Sequence, residues 1–182
     1  MPELFTERLV LRRWRPDDVQ QMTAINSDPE VMRWISDGSL SDSAKTAASI
    51  ARYERSWDEN GFGLFAVELR ASGKLAGFTG LAIPEFLPQI LPAVEIGWRL
   101  GRQFWGVGLA TEAARAALAF GFEQCDLDRV VSIYQPDNVA SGSIMRKLGM
   151  SLAEETIDPT CQRSVQVMAI SAGDHARGTK NS

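Results

Sequence analysis

Trp105-Gly106-Val107-Gly108-Leu109-Ala110-Thr111-Glu112-Ala113-Ala114 is a short glycine loop running straight into a helix-forming stretch. A helix start has several backbone N–H groups with no internal partner, and the macrodipole adds partial positive charge there. Gly106 and Gly108 carry no Cβ, so a phosphate can come close to those N–H groups. The segment before the loop, Val94-Glu95-Ile96-Gly97-Trp98-Arg99-Leu100, reads as a strand. Strand, glycine loop and helix in that order make a pyrophosphate cradle. Taken alone, the loop also fits a helix start whose glycines serve tight packing.

Two well-known cradles are excluded. A dinucleotide fingerprint needs Gly-x-Gly-x-x-Gly or Ala, and the sixth position from Gly106 is Thr111. A P-loop needs Gly-Lys before Ser or Thr, and the one Gly-Lys pair, Gly73-Lys74, precedes Leu75. What remains is Gly-x-Gly-x-Ala-Thr opening a helix.

At this point the chain resembles the GNAT superfamily of acyl-CoA-dependent N-acetyltransferases. Their pyrophosphate motif is Gln or Arg, two residues, Gly, one residue, then Gly or Ala. Trp105 to Ala110 fits with Trp in the first place; Gln103, Gly106 and Gly108 fit in a second register. Other segments resemble the ribosomal-protein N-terminal acetyltransferase subgroup in the same order along the chain. These are Phe5 to Trp14 with Asp17-Asp18, Asp28 to Met32, Val94 to Leu100, and Asn138 to Ser141 running on to Lys147-Leu148-Gly149-Met150. The subgroup more often ends that last motif in Phe. The resemblance covers about residues 5 to 170. It implies an α/β (α+β) GNAT fold with a central mixed, mostly antiparallel sheet flanked by helices.

Patterning along the chain is compatible with that fold. Strands are expected over Thr6–Trp14, Phe62–Leu69, Leu75–Leu81, Val94–Leu100, Val130–Tyr134 and Ser164–Ile170. Helices are expected from Pro16, from Asp28, and over Ser41–Asn60, Leu109–Glu123 and Asn138–Leu148. The helix from Leu109 places Leu109, Ala113, Ala117 and Phe120 on one face. Pro84 to Pro92 reads as an apolar loop. Residues 1–171 are expected to form one domain, and residues 172–182 a polar, mobile tail.

Composition narrows the function less. A chain of 182 residues with 45% apolar and 23% charged residues suits a single folded domain. Its net charge of −4 supplies no basic field for nucleic acid. Cys125, Cys161 and one His offer neither a metal site nor a disulfide framework. No apolar run approaches membrane-spanning length, and Glu3 and Glu7 stand where a signal peptide is basic. The expectation is a cytoplasmic protein without metal, with no nucleic-acid or membrane partner.

Acetyl transfer from a thioester to an amine needs a held cofactor, a polarised carbonyl, a base for the ammonium and a stabilised leaving thiolate. The resemblance implies acetyl-CoA as donor. It implies cofactor contacts from the strand backbone at Ile96, Trp98 and Leu100, and from Gln103, Gly106, Val107, Gly108, Ala110 and Thr111. A bulge at Gly97 would aim an N–H at the thioester oxygen. Glu95 is the candidate base; the competing reading is a strand Glu paired with Arg or satisfied by backbone donors. Glu68 and Glu85 are weaker candidates. By resemblance Asn138 contacts the pantetheine and Ser141 gives a proton to the thiolate, although Asn138 also reads as a helix N-cap with Ser141 in the first turn. Tyr134 lies too early for the Tyr that many relatives use as acid. Arg146 and Lys147 fit either CoA phosphates or a solvated helix face. Trp34 and Glu85, with Asp37, are candidates for the acceptor entrance. His175 is given no role.

The implied reaction is direct acetylation of a primary amine, with a peptide or protein N-terminus as leading acceptor. Small-molecule amines and a silent CoA-binding sensor are the alternatives. A homodimer is compatible with the subgroup.

Overall fold

The computed structural model describes residues 2–179. Its elements in order are β1 (Leu4–Phe5), β2 (Leu9–Arg12), α1 (Asp18–Asn26), α2 (Pro29–Met32), α3 (Ser43–Asn60), β3 (Leu64–Leu69), β4 (Leu75–Ala82), β5 (Glu95–Leu100), α4 (Leu109–Glu123), β6 (Arg129–Tyr134), α5 (Val139–Lys147), β7 (Ser151–Asp158), β8 (Arg163–Ser171) and α6 (Ala172–Thr179). The strands form one sheet in the order β1-β2-β3-β4-β5-β6-β8-β7. Every neighbouring pair is antiparallel except β5 and β6. This is the mixed, mostly antiparallel sheet expected.

Strand alternation gives two main cores, and a smaller third cluster gathers Leu87 with Val131, Val165 and Val167. Leu9, Leu11, Phe65, Val67 and Ile96 face one side, where Leu109, Ala113, Ala117 and Phe120 of α4 meet them. Those four α4 residues are the stripe expected from the helical period. Leu64, Ala66 and Phe78 face the other side and pack with Met22, Ile25, Val31 and Ile50 of α1, α2 and α3. On that second side Arg12 is buried in a bidentate pair with Asp18, at 2.7 and 2.9 Å, and also bonds Glu68 at 2.8 Å. Glu68 is thereby committed to structure, since Arg15 reaches it too.

Two sequence expectations need correction, and one strand has no counterpart among them. The first strand is shorter than Thr6–Trp14, covering Leu9–Arg12, with Leu4–Phe5 folding back on it. Ser151–Asp158 forms a full strand, β7, at the sheet edge. Its Ala153-Glu154-Glu155 run is poor in strand-forming residues, and it is held by pairing with β8 rather than by local preference. The polar stretch after Ser171 is helical over Ala172–Thr179, with Ser171 Oγ bonded to Asp174 and the His175 ring 5.0 Å from that of Phe122. The rest of the expected tail, residues 180–182, lies outside the described residues.

Candidate active site

Construction begins at the start of α4. Gly106 and Gly108 adopt φ of +77° and +83°, a left-handed conformation that side-chain-bearing residues avoid. Gly108 is the helix N-cap and makes no side-chain cap. The first intrahelical bond runs from the Glu112 N–H to the Gly108 carbonyl at 3.0 Å. The amides of Gly108, Leu109, Ala110 and Thr111 are thus the unpaired donors of the helix start. A Cβ built at Gly106 would meet nothing within 4 Å, so the approach to these amides is open. Glu112 would oppose an anion here, but Arg8 neutralises it at 2.7 Å and Thr6 donates to it at 2.6 Å. Although burial acts the other way, these bonds hold the Glu112 carboxyl below its ordinary value.

Strand β5 supplies the second part. Glu95, Gly97 and Arg99 alternate with Ile96, Trp98 and Leu100 across the sheet. Ile96, Leu100 and Trp98 belong to the α4 side. Arg99 lies on the opposite side, bonded to Asn26 of α1 at 2.7 Å. Backbone groups alternate as well. The Gly101 N–H bonds the Ala76 carbonyl at 2.9 Å, which sets the phase: Glu95, Gly97 and Arg99 pair with β4 through their main chain. Ile96, Trp98 and Leu100 direct theirs toward β6.

There β6 is largely missing as a partner. The parallel ladder holds one register pair, Glu95 with Val131, after which the strands part. Ser132 Oγ covers the Ile96 carbonyl at 2.8 Å and Trp105 Nε1 covers that of Leu100 at 2.8 Å. No bulge interrupts the β4–β5 register at Gly97. The expected bulge is therefore replaced by a different device, the parting of β5 from β6, which frees backbone at the same place.

A cavity of about 780 Å³ runs through this gap. Gly106, Gly108, Ala110 and Thr111 line it at one end, and Tyr53, Phe78 and Arg99 at the other. Glu95 lines it between them. Burial pushes the Glu95 carboxyl up to about 8, against the smaller opposing pull of the Ile133 backbone N–H. No arginine or lysine forms an ion pair with Glu95 among the described residues, so the reading of a Glu paired with Arg fails. A carboxylate with that value takes up a proton near neutral pH.

The remaining sequence candidates fall as follows. Trp34, Trp98, Leu100, Asn138 and Ser141 line the cavity. Asn138 is also the N-cap of α5, its Oδ1 accepting from the Ser141 N–H at 3.2 Å, which leaves its amide donors for a ligand. Ile96 has a buried side chain, and its main chain is held by β6. Val107 is exposed on the loop, and Gln103 borders a smaller neighbouring depression. Glu85 is exposed and does not line the cavity; Phe86 does. Asp37 is exposed and accepts from the Ser39 N–H at 2.9 Å. The loop carrying Trp34 and Asp37 is held by Arg163, which donates to the Asp37 carbonyl at 2.8 Å, and by Gln135, which donates to the Trp34 carbonyl at 3.1 Å. Lys147 reaches the cavity lining whereas Arg146 does not. Sequence reading missed Tyr53, Phe78 and Arg99; period-two alternation from Glu95 was the available signal for Arg99. Among the described residues there is no group of three or more His, Cys, Asp or Glu able to hold a metal.

A family model described as an acetyltransferase (GNAT) domain matches residues 8–151. The uncharacterized N-acetyltransferase YnaD of Bacillus subtilis is 30% identical over 145 residues, which cover 80% of either chain. The crystal structure of a GNAT-family acetyltransferase from Bacillus anthracis superposes with a TM-score of 0.79 at 25% identity, covering 94% of this chain and 99% of that one. A structure of RimL, a ribosomal L7/L12 α-N-protein acetyltransferase in complex with coenzyme A, has a TM-score of 0.74. It covers 93% of this chain and 98% of that one at 16% identity, a likeness of fold.

Proposed function

The chain belongs to the GNAT acetyltransferase family and is an N-acetyltransferase; from that premise we propose that it acetylates the N-terminal amine of a peptide or protein by direct attack. The observation that carries the reading is the division of labour across β5. The cradle for the donor lies on the α4 side, the raised carboxylate of Glu95 lies on the other, and one cavity joins them. The fold likeness to an α-N-protein acetyltransferase favours a peptide amine as acceptor.

Acetyl-CoA, when bound, supplies the acetyl group as an activated thioester. The amides from Gly108 to Thr111 bind its pyrophosphate, with Gly106 keeping the approach open and the Thr111 hydroxyl beside them. Trp98 and the Leu100 N–H offer main chain to the pantetheine, the main chain of Ile96 being held by β6, and Asn138 adds an amide donor. Glu95 takes a proton from the acceptor ammonium, directly or through one water, leaving a lone pair on nitrogen. The nitrogen bonds to the carbonyl carbon, its second proton passes to solvent, and the carbon–sulfur bond breaks. Ser141 stands in the first turn of α5 to protonate the departing sulfur, with solvent restoring its proton. Trp34 and Phe86 border the acceptor side; Glu85 stands outside the wall.

The test is acetyl-CoA-dependent thiol release against peptides with free N-termini, polyamines, amino acids and aminoglycosides. Turnover led by the peptides is the expected result. Turnover with small amines only would overturn the acceptor assignment. Tight acetyl-CoA binding with no turnover anywhere would make the protein a CoA sensor.

A further inference from the structure

We propose that Arg99 anchors a carboxylate carried by the acceptor itself, so that the acceptor lies across Gly97 with its amine at Glu95 and its acid at Arg99. This rests on the acceptor amine binding on the Glu95 side of β5.

The case begins with an unbalanced cation. Arg99 lines the cavity deep in its wall, and its Nε is buried with no hydrogen-bond acceptor. Nη1 donates to Asn26 Oδ1 at 2.7 Å, and the guanidinium sits 5.1 Å from the centre of the Phe78 ring. Both are neutral partners. Asn26 is itself fixed by donating to Thr46 Oγ1 at 3.1 Å. No carboxylate of the described residues pairs with Arg99, and burial lowers its affinity for its proton. Arg99 is half-buried in the cavity wall, and a charge held there with no carboxylate beside it is costly, so structural arginines avoid it. The same face shows how this chain treats a structural arginine: Arg12 is closed on Asp18 and Glu68. Arg99 is left open.

The open part has the right shape. With Nη1 used by Asn26 and Nε shut off from solvent, Nη2 is the open donor, and a small shift of the side chain would present the Nε–Nη2 edge, the fork that takes a planar carboxylate through two parallel bonds. Between it and Glu95 the floor is bare, since a Cβ at Gly97 would meet nothing within 4 Å. A strand rises about 3.3 Å per residue, so the two Cα atoms are about 13 Å apart. Side chains stand roughly perpendicular to a sheet, so about the same interval separates the two head groups, and it exceeds the nitrogen–carboxylate spacing of a free α-amino acid. It suits an acidic side chain at the first or second residue of a peptide. Glu95 and Arg99 then match the ammonium and the acid at opposite ends.

The experiment compares kcat/KM for acceptor pairs that differ by one carboxylate: peptides opening Ala-Glu against Ala-Gln, and free alanine against alaninamide. Wild type, Arg99→Gln and Arg99→Lys are assayed, with melting temperature and acetyl-CoA affinity confirming each variant's fold. The expected result is a preference of about 10- to 100-fold for Ala-Glu, abolished by Arg99→Gln and partly kept by Arg99→Lys. A preference confined to alanine over alaninamide places the acid on a small amino acid instead. Equal use of both members of each pair, or a preference that survives Arg99→Gln, overturns the anchor while leaving acetyl transfer to amines intact. Silence toward every amine overturns the acceptor reading on which the anchor depends. Calorimetric titration of the CoA-loaded protein with the two peptides reads the same contact without turnover, and equal binding by wild type again sinks it.

Discussion

The Glu95 carboxyl stands by the backbone N–H of Ile133, on the strand that has begun to part from its own. That N–H favours the ionised form but does not offset burial, and the carboxyl is pushed up to about 8. As the base, Glu95 works only when ionised. kcat/KM is therefore expected to rise with pH through about 8 and level off above it. Glu95→Gln should lower kcat by roughly 100-fold or more and remove that inflection. A pH–rate profile of both proteins checks it; an unchanged inflection in the variant would assign the base elsewhere.

The same residue links pH to stability. Its folded value lies above the ordinary carboxyl value of 4.5. Between those two limits the folded state holds a proton that the unfolded state has released. Stability from this group is full below about pH 4.5, falls progressively as pH rises and is lost above about 8. Glu95→Gln should flatten that part of the curve and raise the melting temperature at pH 8.5. Parallel melting curves for the two proteins across this range would show that burial does not govern Glu95.

Gly108 has a left-handed backbone at the mouth of the cradle, with Arg8 Nη2 3.5 Å from where a Cβ would stand. Gly108→Val should strain the loop by about 1–2 kcal/mol and crowd the amides beneath it. We expect acetyl-CoA affinity to fall by about 10- to 100-fold, since bonds to a charged group are being lost. Equilibrium binding of acetyl-CoA measures this, with circular dichroism to verify the helix. Unchanged affinity would move the pyrophosphate away from α4.

Arg12 and Asp18 are 3% and 2% exposed, so neither can turn to solvent if its partner is removed. Asp18→Ala should cost about 3–5 kcal/mol, largely from stranding the guanidinium. Denaturant unfolding reports the loss, and a change below 1 kcal/mol would show Glu68 to be a sufficient partner.

Main-chain amides of Trp98 and Leu100 face the gap beside β6, beyond the pair that ties Glu95 to Val131. Acetyl-CoA should slow hydrogen exchange across Trp98–Leu100 and the first turn of α4, and leave β7 and β8 unchanged. Exchange followed by mass spectrometry discriminates this from a general tightening, which would slow all strands together.

Local regularities made much of this legible in the sequence. The 3.6-residue stripe of α4, the strand at β5 and the glycine loop before α4 are short-range features, and each is legible where it lies. The less legible parts depend on distant residues. β7 exists because β8 pairs with it, although its Ala-Glu-Glu run argues against a strand. Phe86 rather than Glu85 borders the cavity because of how the loop after β4 settles on β6 and β8, where Leu87 is buried. Arg99 lies in a well-read strand, yet its significance comes from what surrounds it. Asn26, its neutral partner, is 73 positions away, and no spacing rule reports the carboxylate that is missing there. The freed backbone was anticipated at Gly97 as a local bulge; the actual device needs two strands to diverge.

A continuous sheet is a wall, and its two faces are separate compartments. The parting of β5 and β6 puts a window in it. Molecules of very different size can meet through the opening while each is held from its own side, neither contending for the other's surface. For kinetics this means that either reactant can arrive or leave with the other in place. Double-reciprocal plots should then intersect, as for a ternary complex, and should not run parallel as they would if the acetyl group were first handed to the protein.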